Sequence, residues 1–522
     1  MKTRSGIPLK PFYPSPTGET PGEFPFTRGR LSNPHSQGSW IQRELSGEGD
    51  PESSNAQIKY LLEHGQTGID FIGDAATQSM LDPDHPLVGE SVGTQGVSLC
   101  RKQDYLDLFR GVSLEGISVS TSVPSVYALA GLSLVASEHD YPLDQLRGSV
   151  LQPPLFVEDC AYAWHLPVST RIRMALDSID YCRTKMPKYY GYLEDTYFFA
   201  ESGLTPVEEI ALGFVQMRLL LRRMVDRGVD VDTFAHRIAM LVDCGMDFYE
   251  EVAKIRATRR IFAGMMRDEF NASNARSQSL AITSHTSGLS LTAQQPVNNI
   301  VRGTVQALSL IMGGVQALEI SAFDEAFRTP SKESHLVGLR TQQVLDLESG
   351  VARVTDPFGG SYFIEQLTDE IETRIVSRIQ EIEAMGNVEE LSASGFFRDI
   401  FHRAMEDNHR QVEKNEVAVV GVNIHRLAEE DDTLLRDVSS CKIDPAYHQI
   451  ERIKKFRGSR HIDSVVEGLQ GVQSAMQSTE NLVEAIVRAM DQESTVGEIT
   501  TAIRRAEGIE SDPFDQPLPV RL

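Results

Sequence analysis

The sequence predicts an α/β fold, a (β/α)₈ barrel of the TIM type with an extended N-terminal arm and a helical C-terminal region. From about residue 67, short β-prone runs alternate with long amphipathic helical runs, which is the pattern of a parallel sheet. Seven or eight such units follow over roughly 290 residues, which fits a closed barrel better than an open sheet. After residue 365, apolar positions recur with helical spacing only.

This pattern divides the chain into three segments. Residues 1–66 form the arm, because closely spaced prolines from Pro8 to Pro25 disfavour regular structure, and a short helix is expected at its end. Residues 67–365 form the barrel. Residues 366–522 form the helical C-terminal region, whose tail from Ser511 to Leu522 is rich in proline and aspartate.

The strand candidates are short runs with turn residues or helical segments on both sides. The long segments between them, such as Pro124–His139, Pro206–Arg227 and Met246–Glu269, have the apolar spacing of helices. An eighth strand is expected near Ala352–Thr355. The other seven candidates are Gly68–Asp74, Gly116–Ser122, Gly148–Gln152, Tyr189–Asp195, Arg237–Val242, Ser279–Ser284 and Val315–Ser321.

In a barrel, chemistry gathers where the strands end and the following loops begin. Several polar side chains occupy such positions, and the polar run Thr283–Gly288 either binds a ligand or caps the next helix. The pair Gly313–Gly314 either forms a tight turn or allows close approach to a flat or bulky group. The side chains expected at the active face are Asp74, Gln152, Asp195, Tyr197, His285 and Ser321.

Composition excludes several classes of protein. The net charge of -24 disfavours nucleic acid as a partner, because an acidic chain repels phosphate. No apolar run approaches the roughly 20 residues of a membrane span, and the N-terminus lacks a signal-peptide core, so a cytoplasmic location is expected. Five widely spaced cysteines (Cys100, Cys160, Cys182, Cys244 and Cys441) predict reduced thiols rather than disulfides or a zinc site, and no metal site is expected.

Seven motifs, taken together, resemble the methylmalonyl-CoA mutase family in order and in spacing. The resemblance extends from about Gly22 to Ile503 and is specific for the family but much less so for its substrate. The motifs are GEFPFTRG from Gly22, LDPDHP from Leu81, KMPK from Lys185, TSGLSLTAQQPVNN from Thr286, DPFGGSYFIE from Asp356, VVGVN from Val419 and TVGEI from Thr495.

The resemblance implies a radical 1,2-rearrangement that depends on adenosylcobalamin, with an acyl-CoA or a related acyl compound as substrate. The family's cobalamin domain carries D-x-H-x-x-G, whose histidine ligates cobalt, and this motif is absent from the sequence. The chain therefore resembles the large subunits of isobutyryl-CoA and 2-hydroxyisobutyryl-CoA mutases. The expected partner is a small cobalamin-binding subunit that carries the motif, in a hetero-oligomer with a large-subunit dimer.

The resemblance also assigns site residues. Gln152 and Tyr197 occupy family positions that face the reacting acyl group. His285 ends a strand and is expected at the substrate. The residues at positions that face the cobalamin or adenosyl group are Asp74, Thr77, Gln78, Glu201, Gly313, Gly314 and Gln316. For each of these residues, the alternative is a structural role, in which it is packed or hydrogen-bonded within the barrel.

Departures from the family concern the substrate. Leu45 replaces a tyrosine, Phe198 replaces a histidine beside the substrate carbonyl, and Tyr162 lies near the position of a carboxylate-binding arginine, while Arg43 is retained. Methylmalonyl-CoA is therefore a poor candidate, since its carboxylate would lack a partner.

Acidic residues are added in the same region, and alternation along strands allows some of them to face inward, where a hydroxyl or amine of the substrate could meet them. The acids concerned are Asp70, Glu194, Asp195 and Glu319. Two functions remain: a large mutase subunit, or a catalytically degenerate subunit that stabilises a partner. The residues expected at the cofactor favour the first.

Overall fold

A computed structural model describes residues 2, 5, 7–14, 18–32, 39–156, 166–428, 431–432 and 444–518. Within them, nine strands form one sheet in the order β1-β9-β8-β7-β6-β5-β4-β3-β2, and the paired strands are parallel. Since helices separate the successive strands, the predicted α/β barrel class is confirmed. The strands are β1 Ile41–Arg43, β2 Leu45–Ser46, β3 Gly68–Phe71, β4 Ser118–Thr121, β5 Arg147–Leu151, β6 Tyr189–Asp195, β7 Ile238–Val242, β8 Ala281–His285 and β9 Ala317–Glu319.

The predicted and observed strands differ in two places. The end of the arm contributes β1 and β2, which no local pattern predicted, because their pairing with β9 and β3 is what makes them strands. The eighth strand expected near Ala352–Thr355 is wrong. Val351–Arg353 is a 3₁₀ turn that follows Gly350, whose φ of 75° redirects the chain.

The chain divides into two compact units, and the first comprises Met1–Glu44 and Glu194–Lys442. Two of its long helices begin at side-chain caps: Thr205 precedes Pro206 and accepts a hydrogen bond from the Glu208 amide, and Asp247 accepts one from the Glu250 amide. The helices of this unit are α6 Tyr197–Ala200, α7 Pro206–Asp226, α8 Phe248–Asp268, α9 Asn298–Gly313, α10 Lys332–Leu347, α11 Tyr362–Ala384, α12 Val388–Ala393 and α13 Phe396–Glu413.

The second unit comprises Leu45–Leu193 and Ile443–Leu522. Its C-terminal helices pack on the helix Ser125–Glu138 in one apolar core, and its last helix starts with a capping box of Thr495 and Glu498. The helical C-terminal region is thereby confirmed. The helices of this unit are α1 Pro51–Glu63, α2 Ala75–Gln78, α3 Lys102–Leu108, α4 Ser125–Glu138, α5 Val168–Lys185, α14 Tyr447–Ser459, α15 Ile462–Met476, α16 Leu482–Asp491 and α17 Val496–Ala506.

None of the helices in the described residues is long and apolar enough to cross a membrane. Cys100, Cys182 and Cys244 are buried free thiols, as predicted, whereas Cys160 and Cys441 lie outside the described residues. The predicted limits of the arm, barrel and C-terminal region stay a prediction.

Candidate active site

Three ionisable side chains stand side by side on adjacent strands of the first unit. Arg43 on β1 is in register with Glu319 on β9, and Glu319 is in register with His285 on β8. Side chains in register share a face of the sheet, and neighbours along a strand alternate. Gln42 donates to Asp346 on α10 (3.0 Å), so Arg43 and its row point to the opposite face, away from the helices. We call this the ionic row.

The ionic row is buried, and two of its members contact each other. Its three residues are at most 9% exposed, and His285 Nε2 lies 3.3 Å from a carboxylate oxygen of Glu319. The imidazole also meets the ring of Tyr197, with centroids 5.0 Å apart and planes at 65°. His285 is therefore held on two sides, by a carboxylate and by an aromatic ring.

Tyr197 begins the short helix that follows β6, next to Phe198, whose ring centroid lies 5.6 Å from its own. Burial raises the pKa of the Tyr197 hydroxyl well above its ordinary value, and the charges of Glu201 and Glu325 raise it further. Tyr197 therefore keeps its proton. Phe198 is half-buried and offers an apolar face only.

Glu201 binds the loop after β8. One carboxylate oxygen accepts a hydrogen bond from the Ser287 hydroxyl (2.6 Å) and the other from the Leu289 amide (2.7 Å). Burial nevertheless raises the pKa of Glu201, and these two hydrogen bonds oppose the shift. The loop donors orient this carboxylate.

Gly288 leaves a gap where three oxygens converge. A Cβ atom at this position would lie 3.0 Å from Glu201 Oε2, 3.5 Å from Glu325 Oε1 and 3.6 Å from Tyr197 Oη. Desolvation by the surrounding protein, with the charge of Glu201, raises the pKa of Glu325 to about 7. Because the Glu325 residue is exposed, water screens part of this shift. The gap offers hydrogen-bond acceptors to a ligand with hydroxyl or ammonium donors.

A buried lysine supports the end of β7. Lys254 on α8 donates to Glu209 (2.8 Å) and to the Asp243 main-chain oxygen (2.8 Å), and its ammonium lies 2.6 Å from Glu251. Burial alone would lower the pKa of Lys254, but the charges of Glu209 and Glu251 outweigh burial and raise it. Burial and the charge of Glu201 raise the pKa of the Asp243 carboxyl well above its ordinary value.

The two consecutive acids at the end of β6 take opposite faces. Glu194 accepts a hydrogen bond from Gln216 on α7 (2.6 Å), so it faces the helices. Asp195 therefore faces away from them, and it accepts a hydrogen bond from the Phe198 amide (3.3 Å). Of the pair, Asp195 alone has the orientation that the sequence analysis required.

The predicted cofactor positions at the end of α9 have structural partners. A Cβ atom on Gly313 would lie 2.6 Å from the side chain of Ile255, and Gly314 ends the helix with φ of 82°. Gln316 accepts a hydrogen bond from the Ile282 amide (2.8 Å) and donates to the Gly314 carbonyl (2.8 Å). These contacts join α9 to β8. They account for glycine at positions 313 and 314 and for glutamine at position 316.

In the second unit, Asp70 lies on β3 between two core residues. Ile69 and Phe71 are fully buried in the apolar core, and the Phe71 ring packs on Phe109 beside α3. Because side chains alternate along a strand, Asp70 points to the other face of β3 and is 6% exposed.

Asp70 belongs to a second row across adjacent strands. Leu45 on β2 is in register with Asp70, which is in register with Ser120 on β4 and through it with Ser149 on β5. The hydroxyls of Ser120 and Ser149 share a hydrogen bond of 2.7 Å. We call this the hydroxyl row, and its only ionisable member is Asp70.

Asp74 caps the short helix α2. Its carboxylate accepts hydrogen bonds from the amides of Thr77 (2.8 Å) and Gly93 (2.9 Å). Burial raises the pKa of Asp74 to about 6, against the effect of these donors. Gln78, at the end of the same helix, is half-buried.

Gln152 follows β5 and caps helix α4. Its side-chain oxygen accepts hydrogen bonds from the Ser125 amide (3.2 Å) and hydroxyl (3.1 Å), and Ser125 in turn bonds the Ser178 hydroxyl (2.7 Å). Tyr162, the remaining substrate candidate, lies outside the described residues.

Comparison with known proteins identifies the family. A family model described as Methylmalonyl-CoA mutase matches residues 2–509. The chain belongs to the methylmalonyl-CoA mutase family. The resemblance drawn from the seven sequence motifs is thus confirmed.

Relatives in the methylmalonyl-CoA mutase family have similar identity but different names. The chain is 33% identical over 516 residues to the methylmalonyl-CoA mutase of Rhizobium meliloti, covering 97% of this chain and 72% of the relative. It is 33% identical over 488 residues to the 2-hydroxyisobutanoyl-CoA mutase large subunit of Aquincola tertiaricarbonis, covering 93% and 86%. Identity to the human mitochondrial methylmalonyl-CoA mutase is 31% over 514 residues, covering 97% and 68%.

Sequence reasoning within the mutase family missed Asp243 and Glu325. Both follow strand ends, Asp243 directly after β7 and Glu325 six residues after β9 ends at Glu319. The rule that placed Asp195 and His285 at the active face would have selected Asp243. Glu325 lies farther along its loop, so only the folded chain brings it to Glu201 and Tyr197.

Proposed function

We propose that this chain is the large, substrate-binding subunit of an adenosylcobalamin-dependent mutase that rearranges the carbon skeleton of an acyl-CoA without a second carboxylate. The observation that carries the proposal is the 33% identity to a relative named as a large mutase subunit, over 86% of that relative. The partner is a small cobalamin-binding subunit with a D-x-H-x-x-G motif. We further place the complex, with a dimer of large subunits, in the cytoplasm, a location that buried free thiols support.

The gap at Gly288 supports the cofactor assignment, because its three oxygens suit a group rich in hydroxyl donors. Glu201, Glu325 and Tyr197 would hold that part of adenosylcobalamin. Other predicted cofactor residues would help by fixing the backbone around the cofactor rather than by touching it. They are Asp74, Gln316 and the two glycines at the end of α9. When bound, the cofactor supplies radical chemistry that removes a hydrogen from the substrate and returns it.

The protein's own part is to bind, orient and shield the substrate. Tyr197 keeps its proton and offers a hydroxyl beside an apolar wall formed in this unit by Phe198. Leu45 adds an apolar side chain to the hydroxyl row. Apolar walls exclude water, which protects reactive intermediates from side reactions.

The charge pattern supports an acyl group that is not methylmalonyl. Arg43 lies in register beside Glu319, so a substrate carboxylate would approach a cation that already faces an anion. Asp195 and Asp70 each face away from the helices of their units. Acceptors of this kind suit a substrate with a hydroxyl or an amine rather than a carboxylate.

A degenerate subunit that stabilises a partner is the second candidate. The capping role of Asp74 and the helix-ending role of Gly314 favour it, since both would be retained in a catalytically inactive barrel.

Reconstitution separates the two candidates. The chain is mixed with a small D-x-H-x-x-G subunit and adenosylcobalamin, and turnover of isobutyryl-CoA, 2-hydroxyisobutyryl-CoA and methylmalonyl-CoA is followed by mass spectrometry. We expect a stable complex that rearranges one of the first two compounds. Rapid formation of succinyl-CoA, or tight histidine-ligated cobalamin on the isolated chain, would contradict the proposal. A stable complex without turnover would favour the degenerate subunit.

A further inference from the structure

We propose that Asn299 is a positioning residue that ties together the loops after β8 and β9 and so keeps Glu201 and Glu325 in place at the gap beside Gly288. The inference rests on the proposed function, in which these two carboxylates hold the hydroxyl-rich part of adenosylcobalamin. It adds the residue that fixes their positions. Asn299 lies in the first turn of α9 and is 1% exposed.

The side chain of Asn299 binds the loop after β8 at Thr292. Its oxygen accepts a hydrogen bond from the Thr292 amide (3.1 Å), and its nitrogen donates to the Thr292 carbonyl (2.8 Å). The preceding residue, Leu291, donates its amide to the Gly288 carbonyl (2.9 Å). The two donors that orient Glu201 belong to the same loop. Asn299 therefore fixes the end of the turn that holds this carboxylate.

The same side-chain nitrogen binds the loop after β9. Asn299 Nδ2 also donates to the Phe323 carbonyl (2.9 Å), two residues before Glu325. The Glu325 amide donates to the carbonyl of Ala322 (2.9 Å), so the turn that carries Glu325 starts next to the residue that Asn299 holds. One side chain thus links the loop that orients Glu201 to the loop that carries Glu325.

Arg302, one turn further along α9, fixes the orientation of the Asn299 amide. Its Nη1 donates to the Asn299 oxygen (2.6 Å) and to the Thr292 hydroxyl (2.9 Å), and its Nη2 donates to the Val420 carbonyl (2.8 Å). Because a guanidinium has donors only, the amide oxygen must face Arg302 and the amide nitrogen must face the two loop carbonyls. Two of the seven sequence motifs meet here, since one ends at Asn299 and another includes Val420.

The two carboxylates need such support because they repel each other when both are ionised. Glu201 Oε2 and Glu325 Oε1 both lie within 3.5 Å of the Cβ position at Gly288. A neutral amide ties the two loops without adding charge to the gap. A ligand with hydroxyl donors then meets two acceptors that are already in place, so binding does not have to order the loops.

The test compares two cobalamins that differ only in the upper ligand of cobalt. Adenosylcobalamin and methylcobalamin are titrated by calorimetry into the complex of the full chain with the small D-x-H-x-x-G subunit. We expect the wild-type complex to prefer adenosylcobalamin. Asn299→Ala should lower that preference by about tenfold without weakening methylcobalamin. Asn299→Asp, which is closer in size, keeps the oxygen that faces Arg302 but has no donor for the Phe323 carbonyl, so it should lower the preference as well.

Asn298→Ala is the matched control. Asn298 is the neighbouring residue on α9, and its side chain donates to Gln295, three residues earlier (3.2 Å), so its loss should leave the preference unchanged. A double-mutant cycle shows whether Asn299 acts through Glu325. In a Glu325→Gln background, Asn299→Ala should change the preference by about twofold or less, whereas a full tenfold effect there would overturn the inference.

Hydrogen exchange on the full chain tests the same link without a cofactor. Asn299→Ala should speed amide exchange in residues 287–292 and 322–327 but not in α11. Equal acceleration throughout the first unit would mean a general structural role and would overturn the inference. A wild-type preference that both Asn299 variants retain would overturn the inference alone. Equal binding of the two cobalamins by the wild-type complex would overturn the proposed cofactor contact and the inference with it.

Discussion

In the first unit the strand ends carry charge, whereas in the second they carry hydroxyls. The ionic row of Arg43, Glu319 and His285 crosses β1, β9 and β8. The hydroxyl row runs from Leu45 across β2, β3, β4 and β5, with Asp70 as its only ionisable group. Both rows turn away from the helices of their own unit.

The layers behind the two rows differ in the same way. Lys254, Glu209 and Glu251 form a buried ionic cluster in the first unit. In the second unit, Ser125 joins Gln152 and Ser178 through neutral hydrogen bonds. The layer behind the ionic row therefore holds groups whose charge is tuned by their surroundings, as reactive sites require. The hydrogen bonds of Ser125 behind the hydroxyl row involve no charged group.

The largest effect is expected when the buried ionic cluster of the first unit loses its lysine. Lys254→Met should lower the free energy of unfolding by about 3–5 kcal/mol, because it leaves Glu209 and Glu251 buried without their cation. Urea denaturation followed by circular dichroism at pH 7 measures the loss. Adding Glu209→Gln should recover part of it, since one unpaired charge is removed.

Lys102→Met is the matched control for that variant. Lys102 pairs with Asp491 at the surface of the second unit, and both side chains are partly exposed, so its loss should cost less than about 1 kcal/mol. If both lysine variants lost the same stability, the contrast between the two supporting layers would not exist.

A smaller effect depends on pH. The pKa of Asp243 is raised in the folded chain, so its contribution to stability is present below about pH 4 and is lost as pH rises through the raised value. Asp243→Asn does not ionise and should gain stability relative to the wild type at pH 8, on the order of 1 kcal/mol, but not at pH 4. Thermal denaturation at both values measures it. Asp226→Asn, at an exposed acid of α7, should show no such crossover.

The sequence predicts the parts of the molecule in which local pattern decides the outcome. The strand Tyr189–Asp195 has its predicted bounds. β7 begins one residue later than predicted, and β8 begins two residues later and ends one residue later. By contrast, β1 and β2 depend on partners distant along the chain. Alternation required Glu194 and Asp195 to face opposite ways, but only the contact with Gln216 shows which one faces the helices.

The candidate site follows the same division. Polar residues at strand ends, such as His285 and Asp195, could be predicted from position alone. The roles of others depend on neighbours that the sequence does not place, as for Lys254 beside Glu209, 45 residues apart. For Asp74 and Gln152, the ligand contact stays a prediction, and the structure adds that each accepts a hydrogen bond from an amide at the start of a helix.

The smallest expected effect concerns the neutral support of the second unit. Ser125→Ala removes the hydroxyl that joins Gln152 and Ser178, yet Gln152 still accepts from the residue 125 amide and Ser178 still donates to Met174 (2.8 Å). The loss of unfolding free energy should therefore be about 0.5–1.5 kcal/mol. No ionisable group belongs to these hydrogen bonds, so the loss should be equal at pH 5 and pH 8. Ser137→Ala, exposed on the same helix, should cost nothing. If the loss of unfolding free energy changed with pH, an ionisable group would have to interact with these hydrogen bonds. The two units would then differ in the amount of charge behind their strands rather than in its presence.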